Sequence, residues 1–282
     1  MIVGHKRVIE DFQRLADSGR LSHGYIFFGP QMVGKHLVAI SLANYLENGK
    51  FEPLDESKVL SDAFFVKPDE GGSIGIDAMR EIKYFLWQKP NRSSRRTVVI
   101  DRADALTTEA QNALLKITEE PPQSGLLFLV IKEPEMLNPT LRSRLQQIYF
   151  SNIPEDEIEG FLVKSKLAKA KEAKDLAKQS FGQPGRAISL LRGESENEMV
   201  IKARELMEAS PLKRKDIIKN LLAKDTFSFR DFLDGMITSL VEDKEIPRSK
   251  IAFWHRLLEI RNDAQYVGLN PRLQIDYILN EQ

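Results

Sequence analysis

The stretch that decides the fold is Tyr25-Ile26-Phe27-Phe28-Gly29-Pro30-Gln31-Met32-Val33-Gly34-Lys35-His36. It opens with four apolar residues that run into glycine, which is typical of a short buried strand. Two glycines five positions apart and a lysine come next, and a helical pattern follows from His36 to Leu46. Strand, glycine-rich loop and helix in this order predict a phosphate loop rather than a chance turn, because loop amides and the helix N-terminus together suit phosphate groups.

Two more apolar runs follow, at Thr97–Ile100 and Leu126–Ile131, with a helical pattern from Ala110 to Glu119 between them. Continuous apolar strands separated by helices indicate a parallel sheet covered on both faces. The predicted fold class is therefore α/β for roughly the first 150 residues.

The strand signals stop after Ile153-Pro154, and helical patterns continue to the end of the sequence. Short helices are predicted between Glu155 and Phe181 and again from Arg186, and a polar stretch at 193–198 is typical of a linker. We expect three parts: a phosphate-loop domain at 1–152, a small helical lid at 153–195 and an all-α domain at 196–282.

Composition narrows the class of protein. Lys plus Arg and Asp plus Glu each total 41, so the net charge does not predict a general coat for nucleic acid. The absence of cysteine excludes disulfides, thiol nucleophiles and thiolate zinc sites, and we predict no metal site. No run approaches the roughly 20 apolar residues that cross a bilayer. We expect a cytoplasmic protein without membrane contact.

The phosphate loop departs from a working ATP site at its last position. Gly29, Gly34 and Lys35 are the residues expected to hold phosphates, through backbone amides and the lysine charge. The next residue should be Ser or Thr, whose hydroxyl binds magnesium, but it is His36. An imidazole is a poor ligand for a hard, oxygen-seeking cation.

The second half of such a site departs as well. Asp101 follows the apolar run Val98–Ile100, where a carboxylate that holds magnesium belongs, but Arg102 stands where a water-activating glutamate is needed. A guanidinium stays protonated and cannot act as a general base. Asp104 is a possible substitute, although an exposed residue at a helix start is the better interpretation. We therefore expect no ATP hydrolysis at this site.

Four segments resemble the bacterial clamp-loader family of AAA+ proteins, which act with DNA polymerase III. They are the approach to the phosphate loop at Arg20–Pro30, the segment Asn112–Pro122, the stretch Leu137–Arg144, and Gly182-Gln183-Pro184-Gly185-Arg186-Ala187. The likeness covers about residues 2–192 and thins beyond them. Within the family, Asp101-Arg102-Ala103-Asp104 resembles the motif of the subunit type with a degenerate ATP site. Leu145 replaces the cysteine that follows the family's Ser-Arg pair, which we expect to change packing only.

The resemblance implies a place in a pentamer with gamma/tau and delta subunits, within the DNA polymerase III holoenzyme. That assembly opens a sliding clamp and closes it on primed DNA during replication. The helical domain at 196–282 would form its oligomerisation collar. Whether ATP or ADP binds without hydrolysis stays open. So do two alternatives: an active gamma-type motor, and a stand-alone AAA+ protein that uses nucleotide as a structural ligand.

Two arginines are candidate site residues by the same resemblance. Arg144 corresponds to the arginine finger that reaches the ATP of the neighbouring subunit, so it would act in trans; a surface ion pair is the alternative. Arg186 lies at a predicted helix start, where its charge opposes the helix dipole. Contact with phosphate or a partner, and a solvated surface, are equally good interpretations of Arg186.

Two weaker candidates for nucleic-acid contact remain. A basic cluster at Lys89, Arg92, Arg95 and Arg96 precedes a core strand, and a solvated loop is the favoured interpretation. Thr107, Thr108 and Gln111 are placed by the fold where they would face phosphates in a central channel.

Overall fold

The computed structural model describes residues 2–54, 59–69, 71–192, 198–222, 229–242, 251–263 and 271–280. Contacts divide the chain into two compact units, residues 1–191 and 192–282. Most of the predicted linker, residues 193–197, lies outside the described residues, and so does the predicted boundary at 195/196. The division into three domains stays a prediction.

The first unit contains a five-stranded parallel sheet, which confirms the predicted α/β class. Its strand order is β2-β3-β4-β1-β5. The strands are β1 (Gly24–Phe28), β2 (Ala63–Val66), β3 (Arg96–Ile100), β4 (Gly125–Val130) and β5 (Gln146–Tyr149). The apolar runs correspond to β1, β3 and β4, the three inner strands. The sequence did not predict the two edge strands.

Helices cover both faces of this sheet. They are α1 (Lys6–Asp17), α2 (Lys35–Asn48), α3 (Ile76–Leu86), α4 (Thr108–Glu119) and the short α5 (Pro139–Arg142). Alternate residues of the inner strands enter different cores: Ile26 packs in the cluster with α3 and α4, whereas Tyr25 and Phe27 pack in the cluster with α1 and α2. This two-sided burial explains why the inner strands are continuously apolar.

Three more helices complete the first unit: α6 (Glu155–Lys164), α7 (Ala170–Gln179) and α8 (Pro184–Leu191). They have a small apolar cluster of their own, built around Ile158, Leu162, Ala173 and Ala187. Within its described residues, the predicted lid is therefore built from three helices.

The second unit is helical throughout its described residues. Its helices are α9 (Glu198–Glu208), α10 (Pro211–Leu222), α11 (Phe229–Glu242), α12 (Ile251–Asp263) and α13 (Pro271–Asn280). One buried apolar cluster joins all five, and its members include Leu206, Leu221, Phe232, Leu257 and Ile275. The predicted all-α class of this region is confirmed. Nowhere in the described ranges is a helix long and apolar enough to cross a bilayer.

Candidate functional site

The phosphate loop runs from the end of β1 into α2, as the sequence predicts. Gly29 has a φ of 126°, and a Cβ there would lie 2.2 Å from the carbonyl oxygen of Phe150. Gly34 has a φ of 103° and precedes the first turn of α2. Both backbone conformations are ones that side chains rarely adopt. The loop geometry therefore requires these two glycines, whatever the loop binds.

Lys35 lies inside the loop, with only 7% of its surface exposed. Its Nζ donates hydrogen bonds to the carbonyl oxygens of Gly29, at 2.7 Å, and Pro30, at 2.5 Å. Burial lowers the pKa of Lys35 to about 8, although the charges of Asp101 and Asp104 act in the opposite direction. The side chain of Lys35, at the end of the loop, is thus hydrogen-bonded to the first two residues of the loop.

His36 occupies the position where a magnesium-binding hydroxyl is needed. Its Nδ1 lies 3.6 Å from Oδ2 of Asp101, beyond hydrogen-bond distance. This nitrogen is buried, and none of the described residues gives it a hydrogen bond. Burial lowers the pKa of His36 against the opposing effect of Asp101, which favours the neutral imidazole. These residues do not fit a magnesium nucleotide, because a ring nitrogen replaces the hydroxyl beside the carboxylate.

The end of β3 brings Asp101 to the loop but supplies no general base beside it. Arg102 is exposed and has a left-handed φ of 52°, and its backbone N–H donates to Oδ1 of Asp101 at 3.1 Å. Asp104 lies in a single 3-10 turn, half-buried and within electrostatic reach of Lys35. It is therefore less exposed than a residue at a helix start was expected to be. Across the described residues, no group of three or more His, Asp or Glu could hold a metal ion.

Two other parts of the first unit bond to the phosphate loop, and the sequence did not predict either contact. The imidazole Nε2 of His5 lies 3.1 Å from the carbonyl oxygen of Val33. From the start of α8, the backbone N–H of Gly185 donates to the carbonyl of Met32 at 3.0 Å. A Cβ on Gly185 would lie 3.0 Å from the Cβ of Met32, so the approach is close. The loop is thus attached to both the N-terminal segment and α8.

Arg186 follows Gly185 in the first turn of α8, near the phosphate loop. Its guanidinium lies 5.0 Å from the ring centroid of Phe181, in a cation–π contact. The structure therefore gives Arg186 an aromatic neighbour. Its predicted contact with phosphate or a partner is not tested and stays a prediction.

Arg144 lies between the short helix α5 and the strand β5. Nη1 donates to the carbonyl oxygen of Thr140 at 2.8 Å, and Nη2 donates to Oε1 of Glu119 at 2.7 Å. About a third of the side chain, 30%, is exposed, compared with 49% for Glu119. A guanidinium has five N–H donors, of which these bonds use two. The candidate finger is thus anchored while part of its surface stays accessible.

The predicted basic cluster before β3 is not a set of four equivalent surface charges. Arg95 donates to the carbonyls of Leu21 and Gln123, and Arg96 is 5% exposed. Arg96 lies over the ring of Phe85 at 4.7 Å from its centroid. Two of the four cations are therefore parts of the fold, because Arg95 contacts carbonyls that are distant in sequence and Arg96 is buried against an aromatic ring.

The loop that carries this cluster is fixed by a carboxylate that the sequence analysis missed. Asp62 is 1% exposed and accepts hydrogen bonds from the backbone N–H groups of Asn91, Arg92 and Ser93. Burial alone would raise the pKa of Asp62, but these bonds and the charge of Arg96 lower it overall. No local pattern predicts a partner about 30 positions away.

The fold and the phosphate loop define a P-loop α/β protein of the AAA+ class. A profile of the family described as "DNA polymerase III, delta subunit" matches residues 4–154, more than half of the chain. The chain belongs to this family. The predicted resemblance to clamp-loader subunits is confirmed, and the family model and the delta' relatives together indicate the delta' type.

Three curated relatives show the extent of the similarity. The DNA polymerase III subunit delta' of Escherichia coli is 33% identical over 135 residues, which is 48% of this chain and 40% of that protein. The Bacillus subtilis delta' subunit is 30% identical over 167 residues, 56% of this chain and 50% of that protein. The gamma/tau subunit of Mycobacterium tuberculosis is 32% identical over 164 residues, which is 54% of this chain and 28% of that protein. The matches thus span half or less of each relative's length.

A similar solved structure is that of a DNA polymerase III, gamma subunit-related protein from Thermotoga maritima. It has a TM-score of 0.51 and 19% sequence identity, and the match covers 97% of both chains. The RuvB Holliday junction branch migration motor of the same organism gives a TM-score of 0.51 at 14% identity, with 89% of this chain and 85% of that chain covered. At these identities the likeness supports the fold alone.

Proposed function

We propose that this chain is a non-hydrolysing subunit of the replicative clamp loader, which places Arg144 in the ATP site of a neighbouring subunit. The observation that carries the proposal is the contrast between two cations. Lys35 donates to carbonyls of its own loop, whereas Arg144 is anchored at two of its five donors and partly exposed. A fixed guanidinium can stabilise charge that develops on a transferred phosphoryl group without reorganising first.

The residues beside the phosphate loop support the non-hydrolysing part of the proposal. His36 replaces the hydroxyl that would bind magnesium, and Arg102 replaces the carboxylate that would activate water. Either change alone would weaken phosphoryl transfer. Together they favour the degenerate subunit type over an active gamma-type motor.

The proposed partners follow from the names of the relatives, which are delta' and gamma/tau subunits of DNA polymerase III. We place this chain in a complex with gamma/tau and delta subunits. In that complex it would meet the sliding clamp and primed DNA as one part of a larger surface.

The second unit supports a role in holding the chain in this assembly. On α13, Leu273 and Tyr277 are 64% and 51% exposed, one helical turn apart. A partner that covers these two side chains would bury their exposed apolar surface. A chain that ends at Leu191 keeps the whole first unit. We expect it to fold but not to co-elute with gamma/tau and delta in gel filtration; normal co-elution would place the assembly surface in the first unit.

The proposal is tested by Arg144→Ala in the reconstituted complex. An arginine finger contributes about 10³–10⁵ in rate at its own site, or roughly 4–7 kcal/mol of barrier, whereas an exposed ion pair contributes at most about 1 kcal/mol. We expect DNA- and clamp-stimulated ATP turnover to fall to the rate that the other ATP sites of the complex, which do not use Arg144, can sustain. The matched control is Arg142→Ala, since Arg142 lies on the same turn and contacts Glu135. Equal turnover for Arg144→Ala, Arg142→Ala and the unchanged chain would contradict the proposal.

A further inference from the structure

The end of α4 carries a carboxylate that contacts the proposed finger. Oε1 of Glu119 accepts a hydrogen bond from Nη2 of Arg144 at 2.7 Å, across 25 positions of sequence. The second anchor of Arg144 is the carbonyl oxygen of Thr140, one turn earlier in the chain. These bonds engage both terminal nitrogens of the guanidinium, so they fix the plane of the group as well as its position.

The same helix also fixes the second anchor. Oε1 of Gln111, on the first half of α4, accepts from the backbone N–H of Asn138 at 2.7 Å. Asn138 caps α5, because its Oδ1 accepts from the backbone N–H of Thr140 at 2.9 Å. The carbonyl of Thr140 that holds Arg144 is thus positioned from α4 too. Gln111 therefore has a structural partner in this turn, and Thr107 likewise caps α4 through Ala110.

We propose that Glu119 is a positioning residue for Arg144, which holds the guanidinium in the orientation in which it meets the neighbouring subunit's ATP. The inference rests on the proposed function of Arg144. Two donors are used by Glu119 and Thr140, which leaves three of the five N–H groups for phosphate oxygens. A group held in advance loses less conformational freedom when it binds, and catalysis benefits from this preorganisation.

The role of Glu119 is distinct from a contribution to folding. Both side chains of the ion pair are partly exposed, 30% for Arg144 and 49% for Glu119, and exposed pairs contribute little to stability. Removing the carboxylate should therefore leave the thermal unfolding of the chain nearly unchanged. Its effect should appear in ATP turnover by the complex, where the orientation of Arg144 matters.

The chain offers a matched control in the adjacent residue. Glu120 has the same charge and is also exposed, but it lies at the C-terminal cap of α4. Any general effect of removing a carboxylate from this surface would appear in Glu120→Ala as well.

The experiment compares ATP turnover by complexes that incorporate equal amounts of the unchanged chain, Glu119→Ala, Glu119→Gln, Glu120→Ala or Arg144→Ala. We expect Glu119→Ala to lose about half or more of the turnover that Arg144→Ala removes, through kcat and not through KM for ATP. Glu119→Gln keeps an acceptor oxygen and should recover most of the loss, and Glu120→Ala should match the unchanged chain. In a background of Arg144→Ala, the further change Glu119→Ala should have no effect.

Three results would overturn the inference. Unchanged or faster turnover with Glu119→Ala, while Arg144→Ala is slow, would show that Glu119 does not position the finger, although the finger itself would stand. An additional loss in the Arg144→Ala background would assign Glu119 to another task. If Arg144→Ala itself has no effect, the proposed function and this inference fail together.

Discussion

The phosphate loop and the turn that carries Arg144 both follow core strands, yet they use their cations in opposite ways. In the loop, Lys35 is buried and bonds to carbonyls of the same loop. On the turn, Arg144 has two anchors and an exposed surface. The comparison teaches that a nucleotide-binding motif has separable parts. In this chain the glycines and the lysine hold the loop in shape, whereas we propose that the residues at 36 and 102 decide whether the site can hydrolyse ATP.

The contacts around the loop strengthen this distinction. His5 and Gly185 approach carbonyls of Val33 and Met32, so segments far apart in sequence meet at the loop. Because buried backbone groups need hydrogen-bond partners, these contacts make the loop part of the fold whether or not it binds a nucleotide. Arg144, in contrast, is partly exposed, and it contacts the carbonyl of Thr140 and the exposed carboxylate of Glu119.

The largest expected effect concerns hydrolysis by the isolated chain. We expect no ATP turnover above background, at least about 10³-fold below the 1–100 per second of working kinases. The physical reason is that His36 and Arg102 remove the magnesium ligand and the base. Phosphate release from the purified chain is the measurement. A steady rate near 1 per second that Lys35→Ala abolishes would show an active site and remove the contrast between the two regions.

A smaller effect separates the two glycines of the loop. Gly29→Ala should destabilise the first unit by about 3 kcal/mol or more, since the new Cβ would collide with the backbone of Phe150 at 2.2 Å. Gly34→Ala meets no atom within 4 Å and carries only the strain of its φ of 103°, which costs roughly 1–2 kcal/mol.

Urea unfolding of the two variants measures this difference. If Gly29→Ala is as stable as Gly34→Ala, the loop backbone relaxes freely, and the close approach of Gly29 to Phe150 does not constrain the loop. If Gly29→Ala is less stable than Gly34→Ala by more than about 1 kcal/mol, the close packing of Gly29 against Phe150 is needed for stability.

The sequence predicts the inner part of the fold well and its edges poorly. The strands β1, β3 and β4 are buried on both faces, so their apolar runs are visible without any other information. The edge strand β5 begins with Gln146 and Gln147, both exposed, and a strand with a solvated face gives a weak apolar pattern. The other edge strand, β2, is the apolar run Ala63–Val66. This run is as long as the one that predicts β1, and the sequence analysis missed it.

In the candidate site, too, the local motif can be predicted and the contacts between distant residues cannot. The loop residues are contiguous, and their motif can be read directly. Partners such as Glu119 for Arg144, or Val33 for His5, lie 25 and 28 positions away, and only the tertiary fold brings them together. The burial of Arg96 was missed for the same reason, because a run of cations has the same appearance in sequence whether its members are solvated or packed.

The central claim, that the cation of the loop is structural and the cation of the turn acts in trans, is tested most directly by one paired measurement. Complexes that contain Lys35→Met or Arg144→Ala are compared for DNA- and clamp-stimulated ATP turnover at equal incorporation. Methionine keeps much of the buried stem of lysine but not its charge. We expect turnover with Lys35→Met to stay within about twofold of the unchanged complex, and turnover with Arg144→Ala to lose the entire contribution of one site. Loss with Lys35→Met and none with Arg144→Ala would contradict the claim.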